Sequence, residues 1–480
     1  MNYKLIFSTV LKVIKLQAVL MLIPLITCLI YNELAVFYYF LITLSVAYAF
    51  CTIAGYFFKG FSKDFYAKDG LVTVAFSWLA VSIIGAIPFY ISGEIPSFVD
   101  ALFESISGFT TTGASIIKDV ESLSKGLIIW RSLSHFVGGM GVLVFIMAIT
   151  SKTPDRPINI LKAEMPGPIV SKLVPSSKDT AKILYLIYLI LTVLLVILLA
   201  FGGMDTFDSI VHALSTAGTG GFSSKNDSLM GYNSYIQWVI IVFMILFGVN
   251  FNVFYLIIIK KIGVALKSSE LRTYLFIVLA SSITIFLNVY SIYGNVEETI
   301  RTSLFQTTSM MSTTGFATVD YNDWPILSKI VLFSLMIIGG CSGSTAGGLK
   351  VSRVVIIFKK IKITLKKLIH PNSVSVVKFE GDKVKEEITS QITAYVALYA
   401  ICFFAICLLL AFNNLDFETI FSSATACFNN VGPGFNLAGP TTCYADFSWF
   451  SKIVLSVAML LGRLEIYPLL LILMPSTWRK

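Results

Sequence analysis

Four stretches of this 480-residue chain are built to one plan, and nothing else in the sequence constrains its fold as strongly. In each, an acidic residue opens a moderately apolar run of roughly 10–14 residues, too short to cross a bilayer and the right length for a re-entrant half-helix. Each run ends in Thr, Ser or Asn followed by Gly. The stretches read DALFESISGFTTTGAS from Asp100, DSIVHALSTAGTGGFS from Asp208, EETIRTSLFQTTSMMSTTGFA from Glu297 and DFETIFSSATACFNNVGPGFN from Asp416. Their equivalent glycines are Gly113, Gly221, Gly315 and Gly432. Each lies between two long apolar runs. The chain therefore carries a fourfold internal repeat of helix, half-helix, loop and helix.

The long runs have the length of membrane spans, which need about 20 apolar residues. Ten qualify, at roughly 10–31, 35–58, 71–93, 127–150, 183–202, 234–259, 273–293, 326–358, 391–412 and 449–474. The first two stand outside the repeat. Hydrophobic residues make up 56 % of the chain and charged residues 13 %, whereas a soluble surface needs roughly 25–35 % charge. The sequence thus predicts an all-α polytopic membrane protein and excludes a soluble enzyme, a disordered scaffold and a nucleic-acid-binding domain. Its organisation is expected to be an N-terminal two-helix extension over 1–60 and pore repeats over 61–155, 156–265, 266–385 and 386–480.

The net charge of +9 has a simple origin. Lys and Arg concentrate at the N-terminus, near 59–70, in 151–182, in 260–272, in 350–385 and at the tail. Only Lys118, Lys125, Arg131, Lys225, Arg301, Lys329, Lys452 and Arg463 lie elsewhere. Cations held in alternate loops are the positive-inside bias, which puts both termini in the cytoplasm and needs no polyanionic partner. The seven cysteines include no Cys-x-x-Cys pair, so neither a disulfide framework nor a zinc site is supported. His135, His212 and His370 are scattered and read as packing or hydrogen-bonding residues.

Irregular backbone at membrane depth survives only when buried in protein or lining a watery cavity. Four such segments meet this condition together by converging on one axis, where their carbonyls form rings. Carbonyl rings replace the hydration shell of a cation. Each half-helix then points its partly negative C-terminal end at the axis. Two further features call for attention at membrane depth. Residues 339–348, GGCSGSTAGG, interrupt a long apolar run with five glycines, at about 1 kcal/mol each against a helix; this predicts a broken helix lining a cavity. Arg463 sits deep in the last span, where a cation is costly and a functional role is the default. It either repels cations or bonds loop carbonyls. Pairing with Glu465 is disfavoured, because positions two apart do not face each other on a helix.

The stretches TTTGA (110–114), TGGFS (219–223), STTGFA (312–317) and NNVGPGF (429–435) resemble the Trk/Ktr/HKT potassium transporter family over nearly the whole chain. The two additional N-terminal spans, HFVGGMGVLVF (135–145) and LKAEMPGPIVSKLVP (161–175) are similar to its TrkH branch. The resemblance implies a pseudo-tetrameric pore in one chain. It carries a K+ filter to Thr111, Thr112 and Gly113; Thr219, Gly220 and Gly221; Thr313, Thr314 and Gly315; and Asn430, Val431 and Gly432. It carries a pore-plugging gate to the 339–348 loop, with Gly339, Gly340, Gly343, Gly347 and Gly348, and to Arg463. It further implies uptake across a bacterial cytoplasmic membrane, a homodimer in contact with membrane lipids, and a TrkA-type cytosolic regulatory subunit that binds NAD and ATP/ADP, with no nucleotide bound by this chain. The chain departs from strict symmetry: the second copy groups Gly218, Gly220 and Gly221, and the fourth has Asn429, Asn430 and Pro433. A sodium-dependent Ktr-like or poorly selective cation transporter is the alternative. An integral-membrane enzyme would need a polar constellation that the sequence lacks, and four same-direction units do not fit an inverted repeat.

Overall fold

The computed structural model describes residues 2–58, 67–141, 177–373 and 375–478. Helices α1 (Tyr3–Leu20), α2 (Leu22–Ile30) and α3 (Leu34–Phe57) form the N-terminal extension. Four units follow. The first has α4 (Ala67–Ile91), α5 (Phe98–Phe109) and α6 (Lys125–Gly139); the second has α7 (Ser177–Phe201), α8 (Thr206–Gly218), α9 (Ser234–Gly248) and α10 (Phe251–Ile258). After the short α11 (Ile262–Leu266), the third has α12 (Ser269–Tyr293), α13 (Val296–Met311), α14 (Ile326–Ile338) and α15 (Val351–Ile369). A two-stranded hairpin, β1 (Lys378–Phe379) and β2 (Asp382–Lys383), leads to the fourth: α16 (Glu386–Ala411), α17 (Phe417–Phe428), α18 (Trp449–Arg463) and α19 (Tyr467–Leu473), followed by α20 (Pro475–Trp478). Each unit is a long helix, a short helix, an irregular loop and a second helix.

Among the described residues six helices are long and apolar enough to cross a membrane, and two bent pairs bring the number to eight. The chain is a multi-pass membrane protein. Besides the 326–358 run, two of the ten candidate runs are bent rather than single helices. The 234–259 run breaks between α9 and α10 with a 94° bend, and the 449–474 run breaks between α18 and α19 with a 118° bend. Each run is apolar enough on average to pass for one span, with Asn250 at the first break and Arg463 and Glu465 at the second; packing decides the bends. The Gly248 carbonyl accepts from Cys341 N–H at 2.9 Å instead of continuing a helix, and Asn250 restarts the chain by capping α10. The 326–358 run is broken as its glycines require, but its second half extends to Ile369. In the 127–150 run the helix ends at Gly139. Residues 142–150, the 161–175 motif and the cations of 151–176 lie outside the described residues.

Units join in a cycle. The second helix of each packs on the short helix of the next: α6 on α8, α9 on α13, α14 on α17, and α18 back on α5. Lys329 of α14 pairs with Glu418 of α17 at 3.5 Å, and Lys452 of α18 pairs with Asp100 of α5 at 2.7 Å. The N-terminal extension packs outside this cycle on the first unit. Ser124 makes no side-chain cap for α6; the Glu33 carboxylate takes its place, accepting from Lys125 N–H (2.7 Å) and Gly126 N–H (3.0 Å). An acidic group there both satisfies free N–H groups and complements the helix dipole.

Candidate functional site

The short helices start and stop alike. Their caps are Ser97, Asp205, Asn295 and Asp416, each accepting a backbone N–H of the first turn. Of the four acids that open the sequence repeats, only Asp416 is the cap itself; Asp100, Asp208 and Glu297 stand within the first turn. Asp208 also accepts from Ser224 Oγ (2.6 Å) and Tyr232 OH (2.9 Å), tying the loop after its helix to the helix start.

At the other end the backbone repeats four times in detail. Thr111, Thr219, Thr313 and Asn430 all adopt left-handed backbone, with φ of 56°, 54°, 56° and 56°. The next N–H reaches back five residues: Thr112 to Ser107, Gly220 to Ser215, Thr314 to Ser309 and Val431 to Ala426, all within 2.8–2.9 Å. This closes each helix as glycine ordinarily does, yet three of the four residues are β-branched, a conformation that costs about 1–2 kcal/mol for an L-residue. Surrounding packing holds that strain, which is common where geometry serves function. Gly113, Gly221, Gly315 and Gly432 follow, again at positive φ. Residues of alternating hand turn successive carbonyls toward one side rather than to opposite sides as in a strand.

The four loops meet. A Cβ on Gly113 would stand 1.9 Å from the Gly220 oxygen; on Gly221, 2.1 Å from that of Thr314; on Gly315, 2.0 Å from that of Val431; and on Gly432, 2.5 Å from that of Thr112. Each glycine therefore abuts the carbonyl preceding the next unit's glycine, and the last returns to the first. The structure brings together Thr112, Gly113, Gly220, Gly221, Thr314, Gly315, Val431 and Gly432 as one closed ring, with Thr111, Thr219, Thr313 and Asn430 at its helix ends. Asn430 Nδ2 donates to Thr112 Oγ1 at 3.0 Å, joining the fourth loop to the first. A cavity of about 390 Å³ opens on the side of the residues after the glycines and touches all four of them.

A buried ion pair braces the ring from behind. Glu104 of α5 accepts from Arg131 Nε at 2.8 Å and from Ile116 N–H at 3.0 Å. Arg131 Nη1 donates to the Ser223 carbonyl at 3.3 Å, so one pair holds the first and second loops. Sequence reading placed Arg131 merely outside the cytoplasmic loops; its partner is 27 residues away and invisible in local spacing.

On the opposite side lies the glycine-rich segment. Gly347 N–H donates to Thr313 Oγ1 at 2.6 Å, and a Cβ on Gly347 would be 2.2 Å from the Asn429 oxygen, so the segment presses directly against the ring. Gly339, Gly343 and Gly348 take positive φ, and Gly340 packs against Ala346. Glu270 of α12 anchors both ends of the segment, accepting from Ser342 N–H (2.7 Å) and Ser352 N–H (3.2 Å). Arg463, the last residue of α18, donates to the carbonyls of Thr345 (2.9 Å), Gly139 (2.6 Å) and Gly138. Glu465 pairs with Arg353 of α15. A cavity of about 60 Å³, room for a few waters, is bounded by Gly139–Gly141, the segment, Asn430 and Arg463. Lys350, assigned by sequence to the cytoplasmic loops, also lines it and donates to Ala346 O. Continuity of charge with Arg353 and Lys359 hid that placement.

A family model described as "TrkH: Cation transport protein" matches residues 38–479. The chain belongs to the TrkH cation transport family. The Trk system potassium uptake protein TrkG of Escherichia coli (strain K12) is 33 % identical over 475 residues, covering 97 % of this chain and 96 % of that protein. The Trk system potassium uptake protein TrkH of Vibrio parahaemolyticus is 32 % identical over the full length of both chains. The crystal structure of the potassium transporter TrkH from Vibrio parahaemolyticus superposes with a TM-score of 0.90 at 30 % identity, covering 100 % of each chain. The four-unit arrangement is therefore that of the TrkH family, with the ring of glycine loops at its centre.

Proposed function

We propose that this chain mediates potassium uptake across a bacterial cytoplasmic membrane, with both termini inside. The observation that carries the reading is the closed ring of four loops, in which glycine-flanked carbonyls of Thr112, Gly220, Thr314 and Val431 stand in chain order. Such oxygens replace the water around a cation. Each short helix aims its carbonyl end at the ring, which favours positive charge. An ion entering from the 390 Å³ cavity sheds water at the ring. It then meets the 339–348 segment and Arg463, which act as the gate. Membrane potential supplies about 2.3 kcal/mol per charge per 100 mV. The pore repeats are assigned to 61–155, 156–265, 266–385 and 386–480.

Regulation is assigned to a TrkA-type cytosolic subunit that binds NAD and ATP/ADP, acting on a homodimer of this chain. The names of the relatives, each part of a Trk system, support partner components. The test is rubidium uptake by reconstituted vesicles, comparing the wild type with Gly113→Ser and Arg463→Ala. The first substitution is expected to alter cation preference and the second to raise leak; unchanged flux in both removes the proposal. Repeating the assay with and without sodium separates potassium uptake from a sodium-dependent or poorly selective transporter.

A further inference from the structure

The second loop departs from the first and third at two positions, where it alone of the four has glycine, and a side chain from the first unit accounts for it. Where the first and third loops have Thr110 and Thr112, or Ser312 and Thr314, the second has Gly218 and Gly220. The hydroxyls of the first pair meet at 2.8 Å and those of the second at 2.7 Å, stiffening each loop from within. Glycines cannot do this. Instead, the fully buried His135 of α6 fills the space behind the second loop. A Cβ on Gly220 would lie 2.4 Å from ring atoms Cγ and Nδ1 of His135, and one on Gly218 would lie 2.2 Å from its carbonyl oxygen. The imidazole also stacks on Phe222 with centroids 4.1 Å apart and planes 18° from parallel. One helical turn earlier, Arg131 sits 4.1 Å from the same Phe222 ring and bonds the Ser223 carbonyl. Residues 220–223 are thus clamped from α6, on both sides of Gly221. At the matching place in α9 and α18, four residues before the helix ends, stand the flexible Met244 and Met459.

We propose that His135 is a positioning residue for ion selection: its rigid ring, wedged against Gly220 and Phe222, substitutes for the hydroxyl pair of the first and third loops and holds the second loop's carbonyls at the spacing that favours K+ over Na+. The inference rests on the reading of the ring as the ion-selecting element. Oxygens that cannot close freely on the smaller ion discriminate by cavity size, and the packing behind them then bears on selectivity. The two glycines and the histidine form one device, since either a side chain at 220 or a ring at 135 fits, but not both.

The experiment measures rubidium and sodium fluxes in vesicles reconstituted with wild type, His135→Ala, Gly220→Ala, the His135→Ala/Gly220→Ala double variant and Gly113→Ser, each first shown to be monodisperse. Gly220→Ala is expected to lower rubidium flux at least about tenfold, and the double variant to recover at least about fivefold of that loss, the non-additivity expected of residues in contact. His135→Ala is expected to raise the sodium-to-rubidium flux ratio at least about threefold. If His135→Ala is not monodisperse, His135→Met is read in its place, with the same direction expected. An unchanged ratio, or a double variant as inactive as Gly220→Ala, overturns the inference. If Gly113→Ser shifts the ratio while His135 variants do not, only this inference fails; if Gly113→Ser changes nothing, the filter reading itself fails.

Discussion

Replacing Arg463 by Ala removes a link between the glycine-rich segment and the end of α6. The Arg463 guanidinium spans two bodies: it bonds Gly138 and Gly139 at the end of α6, and Thr345 within the segment at 2.9 Å. The Thr345 bond is the one that joins the segment to the fixed helix end, so its loss enters the closed-to-open difference. A hydrogen bond from a charged donor contributes about 1.5–3 kcal/mol net. At 1.4 kcal/mol per tenfold, the open population rises by roughly 10- to 150-fold as long as the closed state dominates. Loss of the positive charge beside the ion path acts in the same direction. The assay is rubidium leak into vesicles reconstituted with this chain and no cytosolic partner, normalised to protein content. An Arg463→Ala leak within about twofold of wild type would refute the reasoning. Arg463→Lys separates the two contributions. It keeps the charge but cannot fork across carbonyls on two bodies, so a tight Lys variant assigns the effect to charge and a leaky one to the bonds.

Three other perturbations probe the same architecture. Gly113→Ala places a Cβ 1.9 Å from the Gly220 oxygen at a φ of +80°; the loops must part by more than an ångström, and rubidium uptake is expected to fall or lose its preference over sodium, as flux competition will report. Glu104→Gln leaves the Arg131 guanidinium buried without its counter-charge, which costs about 3–5 kcal/mol, so the thermal unfolding midpoint in detergent should drop clearly, and an unchanged midpoint rejects the brace. Glu270→Gln removes the charge from the acceptor of Ser342 and Ser352 N–H groups, loosening both ends of the segment; leak above wild type is expected, and none would show that the anchor is dispensable.

The repeated plan was legible because four short apolar runs, each closing on Gly, recur between long ones. The broken run at 339–348 was legible too, since five glycines oppose a helix. The breaks after Gly248 and Arg463 were not. Apolar residues flank both closely enough that each run passes for one span despite Asn250 and the charged Arg463 and Glu465, and the bends follow from bonds made to residues about a hundred positions away, such as Cys341 N–H on the Gly248 carbonyl. Left-handed backbone at Thr111, Thr219 and Thr313 runs against residue preference, so propensity points away from it. Lys350 adjoins a run of cations, and only the structure shows it lining the cavity under the ring. Arg463 was found because a charge at membrane depth stands out, but which carbonyls it bonds depends on α6 and the glycine segment meeting in space.

The cyclic packing of unlike units has a further consequence. In a channel made of four copies of one subunit, any plug or charged latch would recur in every quadrant, and four could not share a single axis. Here one polypeptide supplies all four quadrants, so the third alone contributes a glycine-rich segment pressed against the ring and the fourth alone the arginine bonded to it. Each quarter can drift in sequence without dragging the others along, which leaves room for a division of labour that an assembly of identical copies does not have.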